Sequence, residues 1–331
     1  MQTPTGVIIL LSYPDTIVRP AYWETSSNFW SKIGVFGNHA VQAGHAAILL
    51  LEIGASEINY FDFGRYITSY GNGRVRSKET DPELEISIAA QFKNEVLLNL
   101  EEILLWIENN PEKTHGDGRL IASIHEEIDF KKAHAFIHQL IQEKEIPYGV
   151  FKKNTTNCAR FVTDTIIASS KNKKIEKQLK KSKLLTPSPI GNVIKANTNN
   201  TIYEVYKQQI TNYKNRSVVK EYKTFFLNKI EDAPNLKGTE IPDLDFFELK
   251  NATWLGGMGS GAWFKIEAQK KTNTYKISRH TALGKKDFEG LFITKEADFN
   301  PSETYLFIHP TNCQEAYIQQ KDKTFCLVKK N

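Results

Sequence analysis

With 331 residues, 40% apolar and 24% charged, the chain is long enough to bury two cores and has the composition of an ordinary globular protein. Its net charge of +5 does not by itself imply nucleic acid, and no apolar run reaches the roughly 18 residues that a membrane span needs. The three cysteines, Cys158, Cys313 and Cys326, include no C-x-x-C pair, so they fit neither a disulfide framework nor a zinc knuckle.

The first predicted element is a buried strand over residues 6–12, GVIILLS. The apolar start lacks a basic flank and a small-residue cleavage site, so no signal peptide is read, and a reduced, cytoplasmic protein is the expectation. Residues 13–44 are irregular and aromatic. The aromatic residues of 13–36 are assigned part of a substrate groove, because the segment leads directly into the next strand. That strand, HAAILLLEI at 45–53, is a continuous apolar run of the kind covered on both faces. Gly54 breaks it and EINYFDFGRY follows, predicting a hairpin. SYGNGRVR reads as a turn and a short strand. Asp81-Pro82 has N-cap and N1 chemistry, with Glu83 and Glu85 in the first turn. Apolar residues from Leu84 to Ile107 then recur at helical spacing, predicting helix to about Asn109 in one or two pieces.

GRLIASIHEEI predicts a further strand. DFKKAHAFIHQLIQEKE predicts a helix capped by Asp129, and NTTNCARFVTDTII one that begins at Cys158 with Asn157 or Thr156 as cap. From Lys171 the composition shifts: residues 171–231 hold 14 Lys/Arg against 4 Asp/Glu. This reads as a solvated, partly helical connector, with a surface for an anionic partner as the alternative reading. Aromatic residues there (Tyr203, Tyr206, Tyr213, Tyr222, Phe225, Phe226) have the chemistry for base stacking, but no specific nucleic-acid motif accompanies them. Beyond about residue 235, short alternating strands separated by turns predict a small β barrel or sandwich. The expected division is 1–170, a connector at 171–234, and an all-β domain at 235–331.

Two motifs are set aside. GMGSGA (257–262) matches the dinucleotide fingerprint, but WFKIEA after it reads as a strand, and the fingerprint needs a helix N-terminus there. Glycines at a tight turn or bulge are the better reading. His134 and His138 lie four apart on one helical face without an HExxH pattern, so no metal site is assigned, and no cofactor is implied.

Cys158 is the chemically suggestive residue. A thiol reacts as thiolate, and a helix N-terminus favours negative charge. A buried packing role is the standing alternative. A nucleophilic cysteine needs a base, and the base an orienting group. His45 opens the apolar strand, and Asp62 sits on the next one. The pairing that puts them on one face leaves open whether Asp62 or Tyr66 stands nearer His45, since the loop at Gly54–Ser56 decides.

GHAAILLLE and NCARFVTD, in this order, resemble the circularly permuted papain-like fold of NlpC-type cysteine peptidases and the lecithin:retinol acyltransferase-like group; the wider string also resembles an uncharacterised bacterial family. The resemblance covers about residues 6–170 and implies an α+β fold: an antiparallel sheet plus helices, followed here by the small β barrel or sandwich. It implies Cys158 as nucleophile, His45 as general base and Asp62 as the orienting residue. The implied function is a cysteine hydrolase of the amidase or peptidase type, acting through an acyl-enzyme on a peptide or peptidoglycan-like amide. A thiol acyltransferase with the same site and an inactive binding or scaffold protein are the alternatives. Tyr13, Arg65, Tyr66, Arg74 and Asn157 are the substrate-binding candidates, Tyr13 as a side-chain donor to the oxyanion, and the arginines as contacts to an anionic group or as salt bridges to the segment from Asp81.

Overall fold

The structure, a computed structural model, describes residues 3–21, 23, 41–184, 186–214, 217, 251–294, 296 and 298–330. The first sheet has eight strands: β1 (Gly6–Tyr13), β2 (His45–Glu52), β3 (Ile58–Gly64), β4 (Asn72–Arg76), β5 (Leu120–Ile128), β6 (Ile146–Pro147), β7 (Tyr203–Tyr206) and β8 (Gln209–Asn212). Their order across the sheet is β6-β4-β3-β2-β1-β5-β7-β8, and every pair is antiparallel. Besides a single helical turn at Pro111–Thr114, the α-helices among the described residues are α1 (Leu100–Glu108), α2 (Phe130–Gln142), α3 (Cys158–Ser169), α4 (Lys173–Ser182) and α5 (Pro189–Ala196).

Both faces of this sheet are covered, which explains the unbroken apolar runs in β1 and β2. Ile8, Leu10, Ile48 and Leu50 pack with Ile137 of α2, Phe161 and Ile166 of α3, Leu179 of α4 and Val193 of α5. Val7, Ile9, Leu49 and Leu51 face the other way, toward Leu84, Leu97 and Ile103, Leu104 and Ile107 of α1. Asp129 caps α2 as read from the sequence, its carboxylate accepting from the Lys132 N–H. Gly54, with φ +88°, makes the sharp turn between β2 and β3.

The C-terminal strands are β9 (Thr253–Leu255), β10 (Ala262–Ala268), β11 (Thr274–His280), β12 (Lys286–Ile293), β13 (Leu306–Ile308), β14 (Glu315–Gln320) and β15 (Lys323–Lys329). They form one antiparallel sheet in the order β9-β10-β11-β12-β15-β14-β13. Its two edges approach each other, where the Phe307 N–H donates to Thr253 Oγ1 at 3.4 Å, so the sheet is a nearly closed barrel around Phe264, Ile277, Phe292, Phe307 and Ile318. The protein is thus α+β, with an antiparallel sheet plus helices followed by a small β barrel.

Two sequence readings are corrected. The helix expected from Asp81 to Asn109 is only a single 3-10 turn at Pro82–Leu84 and, later, α1. Between them, Phe92–Lys93 and Val96–Leu97 pair across Asn94 and Glu95, both with positive φ. The helical signature failed because the Asp81 carboxylate does not cap; it takes a two-pronged bond from Arg74, at 2.6 and 2.7 Å, and a third from Arg279. The basic stretch is also no simple connector up to residue 214. Ile175 and Leu179 bury one face of α4 on the sheet, and β7 and β8 extend it. Tyr222, Phe225 and Phe226 lie outside the described residues, as do Tyr22, Phe29, Trp30 and Phe36 of the expected groove.

Candidate active site

A row of polar side chains crosses four adjacent strands on one face. Tyr13 of β1 is the direct partner of His45 on β2, and Asp62 of β3 is the direct partner of Arg76 on β4. Asp62 itself pairs with Ala47, so His45 and Asp62 stand diagonally, within side-chain reach. The turn at Gly54 sets this register, and it places Gly64, not Tyr66, nearest to facing His45. The His45 Nε2 and an Asp62 carboxylate oxygen are 3.1 Å apart.

Asp62 is completely buried, and its charge is well compensated. Arg76 Nε and Nη2 donate to its two oxygens at 2.9 and 2.5 Å, and the Tyr60 hydroxyl donates at 3.0 Å. Burial alone would push this carboxyl up, but Arg76 and His45 hold it well below the ordinary carboxylate range. Burial likewise pushes His45 down, yet its bond to Asp62 and the influence of the nearby Cys158 and Asp62 side chains outweigh burial and raise it to about 9. Burial and the Asp62 charge drive Tyr60 and Tyr66 upward, so both remain neutral phenols.

Cys158 is the first residue of α3 and is half-buried. Asn157 caps the helix, accepting from the Arg160 N–H at 2.9 Å, while its amide donates to the Gly149 carbonyl. Arg160 ties down the approach to the cysteine by donating to the carbonyls of Val150, Lys152 and Thr155. α3 packs on the sheet face of Ala46 and Ile48. Cys158 opens α3 and His45 opens β2, and the Cys158 side chain lies near enough to act electrostatically on the imidazole. With Nε2 engaged by Asp62, Nδ1 is the ring nitrogen left for the thiol. The first N–H groups of α3 lack intrahelical acceptors; the Arg160 N–H is taken by the Asn157 side chain, and that of Cys158 is at the helix start.

The expected substrate contacts divide. The Tyr13 ring stacks near His45, with centroids 6.5 Å apart, and its hydroxyl is buried beside Thr114. Tyr66 stands edge-on to His45 at 6.4 Å. Arg65, Arg74 and Asn157 are each engaged with internal partners. Arg65 bonds the carbonyls of Arg19 and Pro20 and lies over Tyr148; Arg74 bonds Asp81 and the Tyr66 carbonyl; Asn157 is the helix cap. These three have internal partners, as burial of their polar groups demands, and for Arg74 the partner is the Asp81 salt bridge that the sequence offered as the alternative. The places that Tyr60, Arg76 and Arg160 take around the site are not assigned by the sequence, which reads Arg76 with Arg65 and Arg74 as a contact to an anionic group or a salt bridge to the segment from Asp81. Alternation in β3 and β4 carries the signal for the first two, since Tyr60 and Asp62 share a face and RVR puts Arg74 and Arg76 on one side.

Elsewhere, the His134 and His138 rings stack at 4.0 Å. Among the described residues no group of three or more His, Cys, Asp or Glu could hold a metal, and no helix is long and apolar enough to cross a membrane.

The fold and its buried His–Asp pair beside a helix-start cysteine define an α+β protein with the layout of a thiol site. Residues 8–175 match the family of type VI secretion system effector TseH-like proteins, and the chain belongs to that family. Residues 252–330, the barrel, match the DUF6695 C-terminal domain. The crystal structure of the type VI secretion system effector TseH aligns with 64% of this chain and 100% of its own, at 15% identity and a TM-score of 0.43. No curated protein matches the chain.

Proposed function

We propose that the chain is a cysteine hydrolase that cleaves an amide through an acyl-enzyme on Cys158. The observation that carries this reading is the buried His45–Asp62 pair, 3.1 Å apart, with the helix-start Cys158 close enough to influence the same imidazole. The chain order His45, Asp62, Cys158 supports the permuted papain-like assignment. Membership of an effector family supports action as a secreted effector, with a peptide or peptidoglycan-like amide as substrate.

Asp62 accepts a hydrogen bond from the His45 Nε2–H, which fixes the tautomer and leaves Nδ1 to take the thiol proton. The thiolate attacks the carbonyl carbon, and the oxyanion forms near the Cys158 N–H at the start of α3. As the C–N bond breaks, the imidazolium gives its proton to the leaving amine, and a thioester remains. Water then adds to the thioester while His45 accepts a proton. Collapse releases the acid and returns the proton to sulfur.

The test is digestion of peptidoglycan fragments and peptides with products read by mass spectrometry. Wild-type protein should release a free amine and a free acid, and Cys158→Ala and His45→Ala should release neither. Equal turnover by Cys158→Ala would sink the proposal. A new amide or ester in place of the acid would assign transfer instead of hydrolysis.

A further inference from the structure

The barrel and the first sheet meet at the residue next to the site, and the contact has more structure than packing requires. Tyr66 lies between them. Its ring sits under the Arg76 guanidinium, 3.8 Å from the ring centre, and edge-on to His45. The ring occupies space that only a glycine at 64 leaves open, since a Cβ there would fall 2.1 Å from it.

The barrel grips the backbone on both sides of Tyr66. The Gly259 N–H donates to the Arg65 carbonyl at 2.8 Å, and the Ile67 N–H donates to the Ser260 carbonyl at 2.9 Å. This is the GMGSG loop between β9 and β10. Its glycines serve close approach: a Cβ on Gly257 would lie 2.7 Å from Arg65 O and Ile67 N, and one on Gly259 would lie 3.2 Å from the Tyr66 ring. The side chain of Ile67 is buried within the barrel core. Its backbone has φ +49°, a strained left-handed conformation for a β-branched residue, which persists only where surroundings over-determine it. A second route reaches the same residue. Arg279 of β11 bonds Asp81, Asp81 bonds Arg74, and Arg74 Nε donates to the Tyr66 carbonyl at 2.8 Å.

We propose that the C-terminal barrel is a positioning element of the active site: it holds Tyr66 so that the Tyr66 ring keeps Arg76, and through Arg76 the Asp62–His45 pair, in working geometry. This rests on the Cys158–His45–Asp62 reading. Tyr66 and the loop act through Arg76 and are positioning groups.

The experiment uses the full chain with three single variants. Gly257→Ala forces the loop off Arg65 and Ile67. Ile67→Ala removes the plug from the barrel core. Lys144→Met cuts a contact between the same two units, the Lys144–Glu315 ion pair, away from Tyr66. Two readouts are taken: kcat and KM on an amide substrate, and the rate of Cys158 alkylation by iodoacetamide between pH 5 and 10. Gly257→Ala and Ile67→Ala should each lower kcat by about ten- to a hundredfold with KM nearly unchanged, the scale expected for a slight misplacement of catalytic groups. Both should also slow alkylation at pH 6 and change the shape of its pH profile, while Lys144→Met overlays wild type. The proposal is overturned if the variant that remains folded, by circular dichroism, keeps the wild-type profile, or if Lys144→Met impairs the site as much as the other two. If wild-type Cys158 itself reacts no faster at pH 6 than Cys326, the thiol–imidazole reading fails, and with it the role given to the barrel.

Discussion

Replacing Arg76 by methionine tests the electrostatics of the site most directly. Arg76 is 1% exposed and Asp62 is 0% exposed, so neither charge has water to fall back on. The variant removes both bonds from the guanidinium to the carboxylate and the cation over Tyr66, and leaves Asp62 with His45 and Tyr60. Removing one partner of a buried pair costs roughly 3–5 kcal/mol, because the other charge stays buried. At about 2–4 °C per kcal/mol, the melting temperature should fall by roughly 6–20 °C. The sign with pH follows from Asp62. Its folded value lies below its unfolded one, so its contribution is present above the ordinary carboxylate range and is lost as pH falls through and below that range. Without Arg76 the carboxyl titrates higher, and acid unfolding should begin at higher pH. Thermal melts between pH 3 and 8 measure both effects. Arg76→Lys should not restore the wild type, since an ammonium cannot reproduce the fork. A melting temperature within a degree or two of wild type, with an unchanged acid limb, would refute the assignment of Arg76 as the counter-charge of Asp62.

Three further outcomes follow from the geometry. Asp62→Asn should lower kcat by roughly 10²–10⁴-fold, as expected when the orienting carboxylate of a triad is lost, and should move the alkaline limb of the pH–rate profile to lower pH; an unchanged limb would exclude Asp62 as the partner of His45. His45 is raised from 6.5 to about 9. The stability it gains from its partners, about 3 kcal/mol, should be fully present below pH 6.5 and lost as pH rises through 9, a slope that melts of His45→Gln should lack. Asn157→Ala should cost about 1 kcal/mol through the lost cap and reduce kcat by loosening the start of α3, read from melts and steady-state kinetics.

The elements that read correctly from the sequence are those whose cause is local. β1 and β2 announce themselves as apolar runs, and α2 and α3 through Asp129 and Asn157, which cap the helices their own positions predict. The barrel strands alternate and are bounded by turn residues, so their existence was legible, although β9 was not. Asp81 shows the limit. Its sequence context is that of a helix start, but Arg74, seven positions earlier, and Arg279, 198 positions later, draw its carboxylate into a buried cluster. Sequence spacing carries no trace of a partner that distant.

The same division holds at the site. The residue types and chain order of His45, Asp62 and Cys158 were in the sequence, because a helix-start cysteine and a histidine opening a buried strand are local patterns. The diagonal that joins His45 to Asp62 depended on a turn at Gly54, where one residue more or less would have turned Asp62 to the opposite face. Only the tertiary structure put Arg76 opposite Asp62, spent Arg65 and Arg74 on internal partners, and brought a glycine loop from the barrel against Tyr66. Those are pairings between strands and between two separate cores, and they are decided by burial: a charge or backbone group removed from water must find whatever partner the fold brings to it.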